Sequence, residues 1–203
     1  MHDSENLKVA VAGLIEVVAR LLIVELDAIA LQALAGEEIS ALLEELEPGV
    51  SSTLVATTND SALQEELDAE FCRLFLIGEA TSPMASAWLD GEQLANAARL
   101  STQVQHWQAS LEVEMEQGPW GNVPPDHISI LLGLFSLALV REESGKLAEE
   151  IYTTALASMV PDFVKAICAE STNPVYRAGV RLLPQLLQII HPAAGPQSAP
   201  QDV

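Results

Sequence analysis

The segment VPPDHISILLGLFSLALV, residues 123–140, contains the run that decides the fold. From Ile128 to Val140 only Ser and Gly interrupt thirteen otherwise apolar residues. A helix that is apolar on every side is one that its neighbours enclose, so we predict a central buried helix from about Asp126 to Glu143. Thirteen residues are too few to cross a bilayer. A seam of small residues on one face predicts close approach of neighbouring helices: Ser129, Gly133 and Ser136.

Outward from this run, apolar residues recur at helical spacing along most of the chain, and no alternating strand pattern with a hairpin turn occurs. The segment 51–60 reads as a loop. The predicted helices cover about 4–36, 37–47, 61–76, 92–116, 126–143, 146–159, 162–170 and 174–190. The sequence therefore predicts an all-α, single-domain helical bundle of about seven to nine helices over residues 1–190. A Pro/Gly-rich tail, 191–203, is predicted to be disordered.

Charge narrows the classes of partner. The 203-residue chain has a net charge of -20, and fifteen of its 29 acidic residues fall within 1–70, against the two bases Lys8 and Arg20. Nucleic acid and anionic membrane surfaces are poor partners for such a chain. A basic partner would be attracted. The alternative is that the acidic helices serve solubility alone.

The sequence also predicts a cytoplasmic protein without membrane insertion. The first long apolar stretch, Val9–Leu34, carries four charged residues, and the N-terminus lacks the basic region of a secretory signal. Two cysteines, Cys72 and Cys168, lie in apolar helical segments without a paired motif. Free, mostly buried thiols are the prediction.

A search for catalytic or metal-binding patterns leaves one candidate. The four histidines are far apart, and neither a CxxC pair, a phosphate loop nor a nucleophile elbow occurs. We therefore predict no metal site and no cofactor. What remains is the pair Asp126–His127, directly before the apolar run.

Two interpretations of this pair arise from the residues alone. Asp126 suits the N-cap of the following helix, with its carboxylate accepting from the N–H of Ile128 or Ser129. His127 is then a surface residue. An enzyme with His127 as general base is the alternative, although adjacent helical residues point about 100° apart, which makes an Asp–His orienting bond awkward.

Four motifs, in order, carry a resemblance to a known family. They are FCRLFLIG (71–78), SPMASAWLDGE (82–92), PPDHISILL (124–132) and NPVYRAGVRLLPQLL (173–187). Together they resemble the TorD/DmsD family of redox-enzyme maturation chaperones, over most of residues 60–190. Tyr176 and Arg177 lie in register with the family's last motif.

The resemblance implies a cytoplasmic chaperone, not an enzyme, that is a monomer or a domain-swapped homodimer. Its partners would be the twin-arginine leader peptide and the apo-form of a molybdopterin oxidoreductase, whose cofactor loading it supports before export. The implied leader-binding residues divide into three roles. An apolar groove is lined by Phe71, Leu74, Phe75 and Trp88; Pro83 shapes its loop; Asp126 faces an arginine and His127 helps to position it.

Two alternatives stay open. For Phe71, Leu74 and Phe75, core packing is as good an interpretation as a groove. For the whole chain, a helical protein–protein interaction module without leader binding is the second hypothesis, and in that case Asp126 acts only as a helix cap.

Overall fold

Helices form the framework of the molecule, and the computed structural model describes residues 2–78, 80–114, 123–141 and 145–191. The α-helices are α1 (His2–Leu21), α2 (Ala28–Leu34), α3 (Glu37–Leu46), α4 (Val50–Asn59), α5 (Ser61–Phe71), α6 (Gln93–Leu111), α7 (Ile128–Arg141), α8 (Lys146–Ile151), α9 (Ala157–Glu170) and α10 (Pro174–Ile190). A π-helical turn, Tyr152–Leu156, joins α8 to α9 without a break, so the described residues form nine helical rods. The predicted all-α bundle is confirmed.

The predicted central helix is α7. Nine of its fourteen residues are buried, among them Ile128, Leu132 and Phe135. It packs against α1, where the Ser136 hydroxyl donates to the Ala12 carbonyl at 3.2 Å and to a Glu16 carboxylate oxygen at 2.9 Å. The small-residue seam therefore allows a close approach at Ser136, whereas a Cβ added to Gly133 would meet nothing within 4 Å.

The first predicted helix is in fact two. Helix α1 ends at Leu21 and α2 begins at Ala28, because the connection turns Leu22 and Leu26 into the core, at 0% and 2% exposure. Asp27 then caps α2 by accepting the Ala30 N–H at 2.7 Å. Neither Gly nor Pro lies at this break, and apolar residues continue across it. The sequence therefore predicted a single helix.

The segment predicted as a loop, residues 51–60, is mostly helix α4. Val50 and Leu54 are buried completely, and this burial outweighs the low helix propensity of the Ser and Thr residues around them. Their hydroxyls bond back to helix carbonyls: Thr53 donates to Gly49 and Thr58 to Leu54.

Pro161 does not end a helix, although the sequence predicted that it would. It lies inside α9, exposed to solvent, where it removes only one backbone donor. Its neighbours Met159, Val160 and Phe163 are buried. Their packing outweighs the lost hydrogen bond.

An ion-pair cluster around the buried Glu47 joins α10 to the end of α3. Glu47, 8% exposed, accepts from the Arg177 guanidinium at 2.6 and 3.0 Å and also pairs with Arg181. Arg181 additionally donates to the Leu46 carbonyl at 2.9 Å. The carboxylate of Glu47 is therefore held by two cations, which is the arrangement that a buried charge requires.

The two thiols are free, as predicted. Their predicted burial is correct only in part, because both side chains lie between buried and exposed. Cys72 donates to a Glu25 carboxylate oxygen at 3.6 Å, and burial together with that bond raises its pKa.

Most of the predicted tail, residues 192–203, lies outside the described residues. His191, where the predicted tail begins, stacks on Tyr152 with ring centroids 4.2 Å apart and pairs with Glu149 at 2.8 Å. None of the helices in the described ranges combines the length and apolar character that a bilayer crossing needs.

Candidate functional site

Two distant segments of the chain meet at the beginning of α7. The Ala85 N–H donates to the Asp126 carbonyl and the Ile128 N–H to the Pro83 carbonyl, both at 2.8 Å. These two bonds form an isolated antiparallel bridge between Met84 and His127. The motif around Pro83 and the Asp-His motif, separate in sequence, therefore form one structural unit.

Asp126 is buried at this junction, with 5% exposure. Its carboxylate accepts from the Ser86 N–H at 3.3 Å. The sequence predicted that Asp126 caps α7, and this prediction is wrong. The Ile128 N–H bonds to the Pro83 carbonyl, and the Ser129 N–H bonds to His127. No lysine or arginine forms an ion pair with Asp126 among the described residues.

His127 is the residue that caps α7. Its Nδ1 accepts from the Ser129 N–H at 3.2 Å, and its carbonyl accepts from Ile130 and Leu131. The ring is buried, with 6% exposure. Burial lowers its pKa to about 4, an effect that the charge of Asp126 offsets only in part. A neutral imidazole with one nitrogen engaged in a cap is a weak general base at neutral pH.

The aromatic residues upstream form a core cluster beside this junction. Phe71 and Leu74 are completely buried. Phe75, 5% exposed, contacts Phe71 with ring centroids 5.4 Å apart and Tyr176 at 5.5 Å. Phe71 and Leu74 therefore pack in the core, whereas Phe75 lies at its edge.

A π-helical turn, Cys72–Leu76, follows α5 and brings the chain towards the Pro83 segment. The Thr81 hydroxyl donates to the Leu74 carbonyl, which closes the turn. Gly78 follows the turn and packs against it, so that a Cβ there would come within 2.6 Å of the Arg73 carbonyl oxygen and of the Thr81 hydroxyl. Only glycine fits there without displacing backbone.

A surface hollow of about 490 Å³ opens between the π turn and the Pro83 segment. We name it the loop hollow, and its lining residues are Phe75, Leu76, Ile77, Gly78, Ser82, Pro83, Met84, Ala87 and Gln93. Leu76 and Ile77 project into solvent, Ile77 with 76% exposure. These two adjacent apolar side chains are exposed at the lining of the hollow, which makes it the candidate binding surface.

Trp88 supports the loop hollow from behind. Its indole N–H donates to the Ser82 carbonyl at 2.7 Å, and its ring meets Phe163 edge-on at 5.9 Å. Trp88 thus fixes the Pro83 segment to α9 rather than lining the hollow itself.

Of the seven predicted leader-binding residues, only Phe75 and Pro83 line the loop hollow. Asp126 and His127 do not line it, but the hydrogen bonds above join them to the Pro83–Ser86 segment, which contributes Pro83 and Met84 to the lining. Sequence reasoning missed the exposed Leu76 and Ile77, whose signal was an apolar pair that continues past the end of a helix. Among the described residues, no group of three or more His, Cys, Asp or Glu side chains is placed to hold a metal ion.

The all-helical fold of the described residues agrees with the helical chaperones that the four motifs resemble. The chain belongs to the family described as Nitrate reductase delta subunit, because the model of that family matches residues 29–165. This is a family of redox-enzyme maturation chaperones that works with nitrate reductase-type molybdoenzymes, so the resemblance is confirmed. No curated protein and no solved structure matched the chain.

Proposed function

We propose that this chaperone binds the twin-arginine leader peptide of a molybdopterin oxidoreductase in the cytoplasm and holds the apo-enzyme back from export until its cofactor is loaded. Family membership supports the general role. The loop hollow and its polar back wall support the leader as ligand, because such a leader has arginines at one end and an apolar stretch beyond them.

The apolar stretch of the leader would lie in the loop hollow. Phe75 and Pro83 line it, and Leu76 and Ile77 extend its apolar surface. Phe71, Leu74 and Trp88 would contribute by fixing these walls. Burying an apolar side chain here stabilises a complex by roughly 1.5–3 kcal/mol.

Asp126 is the observation that carries the arginine part of the proposal. A carboxylate with 5% exposure and one bond of 3.3 Å from Ser86 has unused acceptor capacity. A guanidinium supplies the paired donors that such a group lacks. To reach Asp126 it would displace the Ser86 N–H, so the Met84–Ala87 segment would move on binding. His127 would keep Asp126 in place by holding the beginning of α7.

The net charge of -20 would steer a basic leader towards the protein. Calorimetry with a synthetic twin-arginine leader at low and high salt tests the proposal. We expect binding that weakens as salt rises, because screening shortens the reach of the charges.

A matched peptide in which both arginines are lysines keeps the charge and loses the bidentate geometry. We expect it to bind about tenfold more weakly. Equal binding of the two peptides would refute the role of Asp126. Absence of binding by either would favour an interaction module without leader binding.

A further inference from the structure

A second hollow, of about 330 Å³, lies between α1, α2 and α3. We name it the N-terminal hollow, and its apolar wall includes Val17, Leu26, Ile29, Ala30, Leu34 and Ile39. It shares no lining residue with the loop hollow. Ile29 stands at its rim with 78% exposure, which is high for a large apolar side chain with no structural role there.

The polar groups of this hollow are already engaged with one another. The two charged lining residues, Arg20 and Asp27, form an ion pair at 3.2 Å. The other carboxylate oxygen of Asp27 accepts the Ala30 N–H. The wall therefore offers a ligand almost nothing but apolar contact.

This property selects the conformation of a ligand. An extended peptide leaves its backbone N–H and C=O groups in need of partners, and these helical walls supply few. An amphipathic helix satisfies its own backbone and presents apolar anchors at i, i+3 or i+4, and i+7. A helix is therefore the segment that suits the hollow.

The surrounding charge selects the flanks of that helix. Residues 1–70 contain fifteen acids and two bases, and one of those bases, Arg20, is paired with Asp27. Glu37 and Glu38 are exposed at the beginning of α3, next to the lining residue Ile39. We propose that the N-terminal hollow docks an amphipathic helix of a partner protein whose apolar face is flanked by lysines or arginines, separately from the leader site.

The probe is a synthetic leucine-faced helical peptide with lysine flanks, compared with a twin that has glutamate flanks. Binding is measured by fluorescence anisotropy on the whole protein. We expect the lysine peptide to bind, the glutamate peptide to bind at least tenfold more weakly, and a twin-arginine leader not to compete.

Matched variants distinguish docking in the N-terminal hollow from non-specific attraction to an acidic protein. Ile29→Gln removes the exposed anchor without disturbing the core and should weaken binding about tenfold. Val55→Gln changes an equally apolar side chain, 56% exposed on α4, and should leave binding unchanged. Equal effects of the two variants would overturn the proposal. So would competition by the leader, or a concentration-dependent dimer that Ile29→Gln abolishes, since the occupant would then be a second copy of this chain.

Discussion

Glu47 and Asp126 are carboxyl groups buried to a similar extent, with 8% and 5% exposure, yet their surroundings differ. Glu47 is held by the guanidinium groups of Arg177 and Arg181. Asp126 accepts one long hydrogen bond from a backbone N–H, and no lysine or arginine of the described residues pairs with it. Because buried charge is costly without partners, we interpret Glu47 as a completed structural contact and propose that an incoming cation completes the contacts of Asp126.

The largest effect on stability is expected at Glu47. Glu47→Gln leaves two arginines facing a neutral amide and should lower the free energy of unfolding by about 2–3 kcal/mol, less than for a fully buried pair because Arg181 reaches solvent. Urea denaturation measures the change. Glu45→Gln, an exposed position in the last turn of α3, is the control and should lie within about 0.5 kcal/mol of the parent. Similar losses in both variants would show that Glu47 is not a completed contact.

A second prediction concerns the neighbour of Asp126. The pKa of His127 is about 4 in the folded protein and near 6.5 in the unfolded chain, so between these values the unfolded chain binds more protons. Stability should therefore fall as the pH drops from 6.5 towards 4, by up to about 1.4 kcal/mol per pH unit, and by about 2 kcal/mol at pH 5.

His127→Asn keeps a cap acceptor and removes this titration. Unfolding curves at pH 7, 6 and 5 should show the parent losing its advantage over the variant as the pH falls. The exposed His106→Asn serves as the control. A difference between parent and His127→Asn that is constant with pH would contradict a buried, neutral cap.

A smaller effect is expected for the turn that shapes the loop hollow. Gly78→Ala forces a Cβ against the Arg73 and Leu74 carbonyls and should cost about 1–2 kcal/mol. Gly133→Ala on α7 meets open space and should stabilise by about 0.5 kcal/mol through helix propensity. Thermal unfolding of the two variants checks the contrast, and a neutral Gly78→Ala would show that the turn can relax.

Local signals explain the parts of the fold that the sequence predicted well. Helix α10 runs from Pro174 to Ile190 as predicted, because the Asn173 side chain caps it by accepting the Val175 N–H at 2.9 Å and proline suits its first position. The central helix α7 was predictable from its apolar run alone.

Tertiary packing explains why the other sequence predictions of the fold were wrong. The break after Leu21 and the helix α4 both depend on side chains that distant segments bury. The sequence around Leu26 and Leu54 gives no local indication of that burial. The reversed capping roles of Asp126 and His127 have the same origin. The Pro83 segment, about forty residues earlier in the sequence, forms hydrogen bonds with the Ile128 N–H and the Asp126 carbonyl. No local sequence pattern indicates that pairing.

The sequence predicted the motifs of the candidate site, but not how they are arranged. The sequence named Phe75, Pro83 and Asp126, which do converge on one region. It did not indicate that Asp126 lies behind the Met84–Ser86 backbone, because that depth is a property of the folded chain.

We propose that Asp126 is kept for an arginine of the leader, whereas Glu47 is already paired with Arg177 and Arg181. The direct test is calorimetric titration of Asp126→Asn and Glu47→Gln with the same twin-arginine leader, at a temperature where both variants are folded. We predict that Asp126→Asn melts close to the parent and binds about tenfold or more weakly, as expected for a lost charged hydrogen bond. Glu47→Gln should melt lower and bind within about twofold of the parent. Parent-like affinity in Asp126→Asn, or an equal loss in both variants, would contradict the claim.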